Sequence, residues 1–141
     1  LSIVNMHSYL LSISSNFQAR SNLSKAQKML KNLFSEIVFT EALPTKPYGD
    51  HYKRPFVNVL AIANHSASAD EINAQLKEIE KRLGRAPTDK QKGKVVIDLD
   101  LIAADGKILR PKDFERSYVQ DLLPQIDSMA MFSKKALKLF S

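Results

Sequence analysis

Cysteine and tryptophan are absent from the 141 residues, and glycine occurs only four times. Without Cys the chain cannot hold a thiolate-bound zinc ion or an iron–sulfur cluster, use a Cys nucleophile or form a disulfide. The chain also has no apolar run near the roughly 20 residues that a membrane-spanning helix needs. Residues 1–14 have no positively charged leader that would indicate a secretory signal. We therefore expect a cytoplasmic protein that does not span a membrane.

What is present is typical of one ordinary domain with an excess of positive charge. The residues are 44% apolar and 26% charged, and Lys plus Arg exceed Asp plus Glu by 21 to 15, which gives a net charge of +6. A basic chain favours an anionic partner, and nucleic acid, a phosphorylated small molecule and an anionic membrane surface all satisfy that description.

The spacing of apolar residues predicts an α+β fold. Strands are predicted at residues 9–14, 37–43, 56–63 and 95–103, and helices at residues 23–34, 69–83 and 115–123. Ser21 or Asn22 can cap the first helix, and Ser68 with Glu71 forms a capping box before the second, which Gly84 ends. The order β-α-β-β-α-β predicts a ferredoxin-like antiparallel sheet with helices on one face and the other face open to a ligand. Residues 1–127 would form the domain, and residues 128–141 a basic amphipathic tail.

Two acidic residues interrupt the last predicted strand. Asp98 and Asp100 alternate with the apolar residues Ile97, Leu99 and Leu101, so both carboxylates lie on one face of the strand, with Cα atoms about 6.6 Å apart. Unpaired charge is costly to bury, and a pair of carboxylates with substrate phosphate oxygens is a usual Mg²⁺ site. The alternative is a solvent-facing strand with two incidental acids. Residues 85–94, which precede the strand, form a mobile basic loop in this interpretation.

Several segments, in order along most of the chain, resemble one enzyme family. They are Ser12-Ile-Ser-Ser-Asn16, Thr45-Lys-Pro-Tyr-Gly49, Pro55-Phe-Val-Asn58, Ile79-Glu-Lys-Arg-Leu-Gly-Arg85 with Ile97-Asp-Leu-Asp-Leu101, and Glu115-Arg-Ser-Tyr-Val119. Together they resemble 6-hydroxymethyl-7,8-dihydropterin pyrophosphokinase, an enzyme of folate biosynthesis whose fold is ferredoxin-like. The resemblance implies that the hydroxymethyl oxygen of the pterin attacks the β-phosphorus of ATP, so that pyrophosphate is transferred whole and AMP leaves.

The resemblance also implies the role of individual residues. Asp98 and Asp100 would hold two Mg²⁺ ions on the triphosphate, and Arg85 and Arg116 would supply positive charge to catalysis. Lys90, Lys92 or Lys94 would substitute for an Arg that the family has and this chain lacks, and Arg110 is the next candidate for that task. Glu80 would lie near the nucleoside, and Arg85, Arg110 and Arg116 would also contact the nucleotide. Phe56 and Tyr118 would stack on the pterin, Asn58 would hydrogen-bond its edge, and Thr45, Lys46, Pro47 and Tyr48 would complete the pocket.

Some positions depart from the family pattern. Ser14 stands in place of a Gly, Lys92 in place of a Trp, Val95 in place of an Arg, and Arg110 where the family has His. Pro87 also stands where some members have a second phosphate-binding Arg. A Lys can supply a point charge to a phosphate but lacks the bidentate fork of Arg.

These departures motivate two other interpretations. One is a catalytically weakened relative that binds nucleotide or pterin without efficient turnover. The more remote one is an RNA-binding ferredoxin-like module, which the positive charge favours and the acids on the open face oppose. An active, ATP- and Mg²⁺-dependent pyrophosphokinase that binds no nucleic acid accounts for more of the residues than either of these alternatives.

Overall fold

A six-stranded antiparallel sheet organises residues 6–47 and 49–127, which are the residues that the computed structural model describes. In chain order the elements are β1 (His7–Ser15), α1 (Ala19–Leu33), β2 (Glu36–Phe39), β3 (Leu43–Thr45), β4 (Phe56–His65), α2 (Ala69–Arg82), a 3-10 helix (Pro87–Lys92), β5 (Asp98–Ala104), β6 (Lys107–Ile108), α3 (Pro111–Phe114) and α4 (Ser117–Asp127). The strand order is β2-β4-β1-β5-β6, and β3 also pairs with β4. This arrangement confirms the predicted α+β, ferredoxin-like fold.

Helices α1 and α2 pack on one face of the sheet, as predicted. Alternate residues of the central strands β1, β4 and β5 point toward them, and the largest of these, such as Leu11, Ile13 and Leu99, are fully buried. Burial of each such side chain stabilises the fold by roughly 1.5 to 3 kcal/mol. The start of α2 is as predicted, because the Ser68 hydroxyl accepts a hydrogen bond from the Glu71 N–H at 3.3 Å.

Helix α4 covers part of the opposite face, where the sequence analysis expected an open surface. Its buried residues Val119, Leu122 and Ile126 belong to a second apolar cluster with Leu10 of β1 and Leu60 of β4. The third predicted helix therefore packs on the face that was expected to be open and leaves only the other end of this face to a ligand.

The predicted strand at residues 37–43 is divided into β2 and β3. Thr40, which lies between them, donates its N–H to the Leu60 carbonyl at 2.8 Å and accepts the Leu60 N–H on its side-chain oxygen at 2.9 Å. A side-chain oxygen thus replaces a backbone carbonyl in the ladder. Pro44, expected to end the strand, lies within β3 opposite Val57, at an edge of the sheet where a residue without an N–H fits.

The predicted strand at residues 95–103 begins only at Asp98. Side chains at the end of β1 bind the backbone before it, since Ser15 Oγ donates to the Val96 carbonyl at 2.7 Å and Asn16 Oδ1 accepts the Val95 N–H at 2.6 Å. These bonds satisfy the Val96 carbonyl and the Val95 N–H without strand pairing. The basic segment before them, expected as a mobile loop, contains the 3-10 helix and buries Asp89, whose carboxylate accepts the Ala86 N–H at 2.8 Å.

Helix boundaries also differ from the prediction. Helix α1 begins at Ala19, and Asn22, expected as a cap, lies in its first turn and donates to the Phe17 carbonyl at 2.7 Å. The predicted helix at residues 115–123 is observed as α4, which begins at Ser117, and the short helix α3, which Pro111 begins, precedes it outside the predicted range.

Within residues 6–47 and 49–127, no helix combines the length and apolar character needed to cross a membrane. The tail at residues 128–141 lies outside the described residues. Its separation from the domain at residues 1–127 therefore stays a prediction.

Leu122→Ala tests the packing of α4 on the sheet. Leu122 is 2% exposed, so the substitution leaves a cavity, and we expect it to lower the free energy of unfolding by about 2 to 5 kcal/mol. The exposed Asp121 on the same helix supplies the control, because Asp121→Ala removes no buried group and should change stability by less than about 0.5 kcal/mol. Equal urea midpoints for the two variants would show that α4 is not docked as described.

Candidate active site

The register of β1, β4 and β5 gathers polar side chains at the uncovered end of the sheet face. Ser14 of β1 pairs with Asn58 of β4 and with Asp98 of β5, and Ser12 pairs with Asp100. Because alternate residues of a strand share a face, these five side chains lie on the same side of the sheet. Asn58 therefore lies on the same face of the sheet as the two carboxylates, with β1 between them.

A cavity of about 480 Å³ lies over four of these side chains, those of Ser14, Asn58, Asp98 and Asp100. The predicted site residues that line it are Phe56, Asn58, Arg85, Lys94, Asp98, Asp100, Arg110, Arg116 and Tyr118. Lys90, one of the three lysines considered as substitutes for an Arg, also lines it, as do Tyr52 and Asp113, which the sequence analysis did not assign to the site. The structure therefore brings together residues that lie more than 60 positions apart in the chain, with acids at the floor and bases around them.

Each carboxylate at the floor has a cationic neighbour. Arg85 Nη1 lies 2.9 Å from Asp98 Oδ1, while Lys77 Nζ and Arg110 Nη2 lie 3.5 and 3.9 Å from Asp100 Oδ1. Burial and the adjacent charge of Asp98 nevertheless raise the pKa of Asp100 to about 6. The site therefore disfavours the ionisation of both Asp98 and Asp100. A further cation beside them would favour the doubly ionised pair.

The donor set fits Mg²⁺ held jointly with a substrate. Within the described residues no group of three or more His, Cys, Asp or Glu side chains converges on one point. Two carboxylates that face a cavity are what Mg²⁺ uses when it takes its other ligands from phosphate oxygens and water. Asp98 and Asp100 are thus the residues that would hold it.

Glu80 lies behind the carboxylates rather than in the main cavity. Its side chain is 4% exposed, and its carboxylate accepts the Leu99 N–H at 2.7 Å. The same carboxylate lies 3.1 Å from Lys77 Nζ and 3.0 Å from Arg85 Nη1. Glu80 therefore fixes both the strand that carries the acid pair and two of the neighbouring cations. The sequence analysis missed Lys77, whose spacing of three residues from Glu80 on a helix was the available signal.

Asp113 joins two arginines on the opposite wall. Its carboxylate lies 2.5 Å from Arg110 Nε and 3.0 Å from Arg116 Nε. Burial opposes ionisation, but the hydrogen bonds from Arg116 and Arg110 prevail and lower the pKa of Asp113. The sequence analysis missed Asp113, although its spacing of three residues from each Arg was a signal for such a bridge.

Aromatic and amide groups form the remaining wall. The Tyr52 ring meets the Phe56 ring edge to face, with centroids 5.2 Å apart, and the Tyr118 hydroxyl lies 2.7 Å from Ser12 Oγ. Asn58 is 2% exposed, and its amide donates to Thr45 Oγ1 at 2.9 Å and to the Leu43 carbonyl at 3.0 Å. Both amide hydrogens thus bind β3.

The basic segment lies against the loop before β4. Lys94 Nζ is 4.1 Å and Arg54 Cζ 5.3 Å from the centroid of the Phe17 ring, which interacts with both cations. Gly93 has φ +64°, and a Cβ atom there would lie 2.9 Å from the His51 carbonyl oxygen. The two loops therefore touch at a position that has room only for glycine.

Some predicted site residues do not line the cavity. In the part of the chain that the structure describes these are Thr45, Lys46, Pro47, Glu80 and Lys92. Tyr48 lies outside the described residues. Thr45 still contacts the site through Asn58, whereas Lys92 lies at the end of the 3-10 helix.

Asp100→Asn tests the electrostatic cost of the acid pair. The folded-state pKa of about 6 exceeds the ordinary 3.8, so the folded protein binds the extra proton between these values and loses stability as pH rises through them. Without divalent cations at pH 7.5, we expect the variant to be more stable than the unsubstituted chain by roughly 1 to 3 kcal/mol, a gain that vanishes below about pH 4.

Asp113→Asn is the control, because we expect it to lower the melting temperature whereas Asp100→Asn raises it. A lowered pKa means that the ionised Asp113 stabilises the fold above its ordinary pKa, so this variant should be less stable at pH 7.5. An Asp100→Asn variant that melts below the unsubstituted chain at pH 7.5 would contradict the account of the acid pair.

Gly93→Ala tests the contact between the loops. The left-handed φ alone costs about 1 kcal/mol, and displacement of the His51 carbonyl adds to it, so we expect a loss of roughly 2 to 3 kcal/mol in urea unfolding. Gly49 has φ +72° with no atom within 4 Å of a Cβ, so Gly49→Ala should cost only the backbone part, about 1 kcal/mol. Equal losses would mean that the loops do not touch at Gly93.

Comparison with known families is consistent with this site. The family model described as 7,8-dihydro-6-hydroxymethylpterin-pyrophosphokinase matches residues 10–128. The match includes β1 from Leu10, the basic segment, both carboxylates of β5 and the arginines that follow. A comparison with curated proteins found no significant match. Because the family model covers most of the chain and every residue that lines the cavity, the chain belongs to the 7,8-dihydro-6-hydroxymethylpterin pyrophosphokinase family.

Proposed function

We propose that the chain transfers pyrophosphate from ATP to the hydroxymethyl group of 6-hydroxymethyl-7,8-dihydropterin and releases AMP, a reaction of folate biosynthesis. The observation that carries this proposal is the position of Asp98 and Asp100, side by side at the floor of a cavity that basic and aromatic residues surround. Membership of the family supports the same reaction.

In this proposal Asp98 and Asp100 would hold two Mg²⁺ ions together with the triphosphate of ATP. When bound, Mg²⁺ supplies positive charge to the phosphate oxygens, where negative charge gathers during transfer. The raised pKa of Asp100 supports this role, because a carboxylate pair that repels itself gains most from a bound cation.

Arg85, Arg110 and Arg116 contact the phosphates in this proposal. Asp113 and Asp98 orient their guanidinium groups, so that less freedom is lost when a phosphate binds. Lys92 and Lys94 supply further charge from the basic segment, and Lys94 already lines the cavity.

The nucleoside of ATP would lie in a second depression. This depression, of about 360 Å³, is bordered by Lys77, Glu80 and Lys81 and shares Arg85, Ala86 and Pro87 with the main cavity. An extended ligand can therefore reach from one to the other across the shared residues. Glu80 would lie near the nucleoside, as the family resemblance implies.

The pterin would lie between Phe56 and Tyr118, which suit a flat heterocycle, with Asn58 at its edge. The segment from Thr45 to Pro47, together with Tyr48, would complete this pocket, and Thr45 is connected to it through its hydrogen bond to Asn58. The site would thus hold the hydroxymethyl group against the β-phosphorus, and positioning of this kind supplies much of the rate.

The proposed step is an in-line displacement. The hydroxymethyl oxygen forms a bond to the β-phosphorus while the bond from that phosphorus to the oxygen shared with the α-phosphorus breaks. AMP departs with the shared oxygen, and the hydroxyl proton is released. The cationic groups around the cavity stabilise the charge that develops on the leaving oxygen.

A weakened relative is the second candidate function. Val95 lines the cavity with an apolar side chain at the position where the resemblance implies an Arg, and Lys94 rests on the Phe17 ring. Binding of pterin and nucleotide without AMP formation would favour this candidate. The RNA-binding interpretation has less support, because two carboxylates occupy the open end of the sheet face and repel phosphate.

AMP release with 6-hydroxymethyl-7,8-dihydropterin, ATP and Mg²⁺ tests the proposal. We expect turnover by the unsubstituted chain and a loss of at least roughly 100-fold in Asp98→Asn or Asp100→Asn, since each removes a charge that would hold Mg²⁺. Asp121→Asn removes an exposed charge outside the site and serves as the control. Full turnover in either site variant would overturn the role assigned to the acid pair.

A further inference from the structure

Ser14 makes a hydrogen bond inside the site that no role above requires. Its side chain is 8% exposed and lines the cavity, and its Oγ donates to Asn58 Oδ1 at 2.8 Å. The two residues are direct cross-strand partners on β1 and β4. A serine at this position therefore places a hydroxyl on the amide that the proposed function assigns to the pterin.

The hydrogen-bonding capacity of Asn58 is almost fully used within the protein. An amide has two N–H donors and two lone pairs on oxygen. Both donors bind β3, at Thr45 Oγ1 and the Leu43 carbonyl, and Ser14 occupies one lone pair. One lone pair on Oδ1 is what the amide can offer to a ligand in the cavity. Asn58 therefore presents an acceptor and no donor.

We infer that Ser14 is a positioning residue for pterin recognition, because it fixes the Asn58 amide so that its oxygen accepts an N–H from the heterocycle. This inference rests on the proposed function. Without the Ser14 hydroxyl, the oxygen of this nearly fully buried amide loses its bond to β1, and the amide is held only through its N–H groups on β3. Binding of the heterocycle must then also restore the amide orientation, which weakens affinity.

The chain contains a matched pair of residues on the same two strands. Ser8 of β1 is the direct partner of Asn64 of β4, and Ser8 Oγ donates to Asn64 Oδ1 at 3.0 Å. This second pair lies at the opposite end of the strands and does not line the cavity. Ser8→Ala thus removes the same type of bond without touching the site.

The test measures pterin affinity by calorimetry in the full chain, with 6-hydroxymethylpterin titrated in the presence of Mg²⁺ and a non-hydrolysable ATP analogue. We expect Ser14→Ala to raise the Kd for the pterin roughly 3- to 10-fold, which is the range of one net hydrogen bond. The Kd for the ATP analogue should be unchanged, and Ser8→Ala should leave both constants unchanged. Ser14→Gly, which also lacks the hydroxyl and adds no atom, should reproduce the effect and provides a second folded variant.

Three outcomes overturn the inference in distinguishable ways. Pterin affinity in Ser14→Ala and Ser14→Gly equal to that of an active unsubstituted chain overturns the role of Ser14 and leaves the proposed function standing. An unsubstituted chain that neither binds the pterin nor releases AMP overturns both. Equal losses of affinity for pterin and ATP analogue would show a general structural effect and would also contradict the positioning role.

Discussion

The cost of charging two carboxylates in a partly buried site on β5 is the constraint around which the site is built. Asp98 and Asp100 share one face of a strand, and burial, followed by the adjacent charge of Asp98, raises the pKa of Asp100. The structure offsets part of that cost with Arg85, Lys77 and Arg110. The pKa of Asp100 stays raised beside these cations, so a further cation would favour the doubly ionised pair.

The cations are in turn held by acids that are not at the floor of the cavity. Glu80 binds Lys77 and Arg85 from α2, and Asp113 binds Arg110 and Arg116 from α3. Acidic and basic side chains therefore alternate from Glu80 on α2, through the two carboxylates of β5, to Asp113 on α3. Such an arrangement orients the arginine groups before a ligand arrives, and orientation before binding reduces the entropy lost on binding.

Much of the fold could be predicted because its signals are local. Alternation placed Asp98 and Asp100 on one face, and the Ser68 cap with Gly84 bounded α2, as the structure confirms. The predicted boundaries that were wrong depend on contacts between residues far apart in the sequence. Thr40 divides β2 from β3 through Leu60, and Ser15 and Asn16 hold the backbone before Asp98, so neither boundary is visible in its own segment. Similarly, α4 packs on the second face because Leu10 and Leu60 form an apolar surface there.

The types of residue in the site could be predicted from the sequence, but the contacts between them and the position of each residue could be predicted less well. Residues such as Arg85 and Phe56 line the cavity as expected, whereas Glu80 lies behind the strand and Lys92 does not line it among the described residues. The measurement that tests the central claim most directly is electron paramagnetic resonance of Mn²⁺, used as a probe for Mg²⁺, with the chain and a non-hydrolysable ATP analogue. The account predicts a protein-bound Mn²⁺ signal that needs both the nucleotide and the carboxylates and is lost in the Asp98→Asn, Asp100→Asn double variant. A bound signal that persists in the double variant would contradict it.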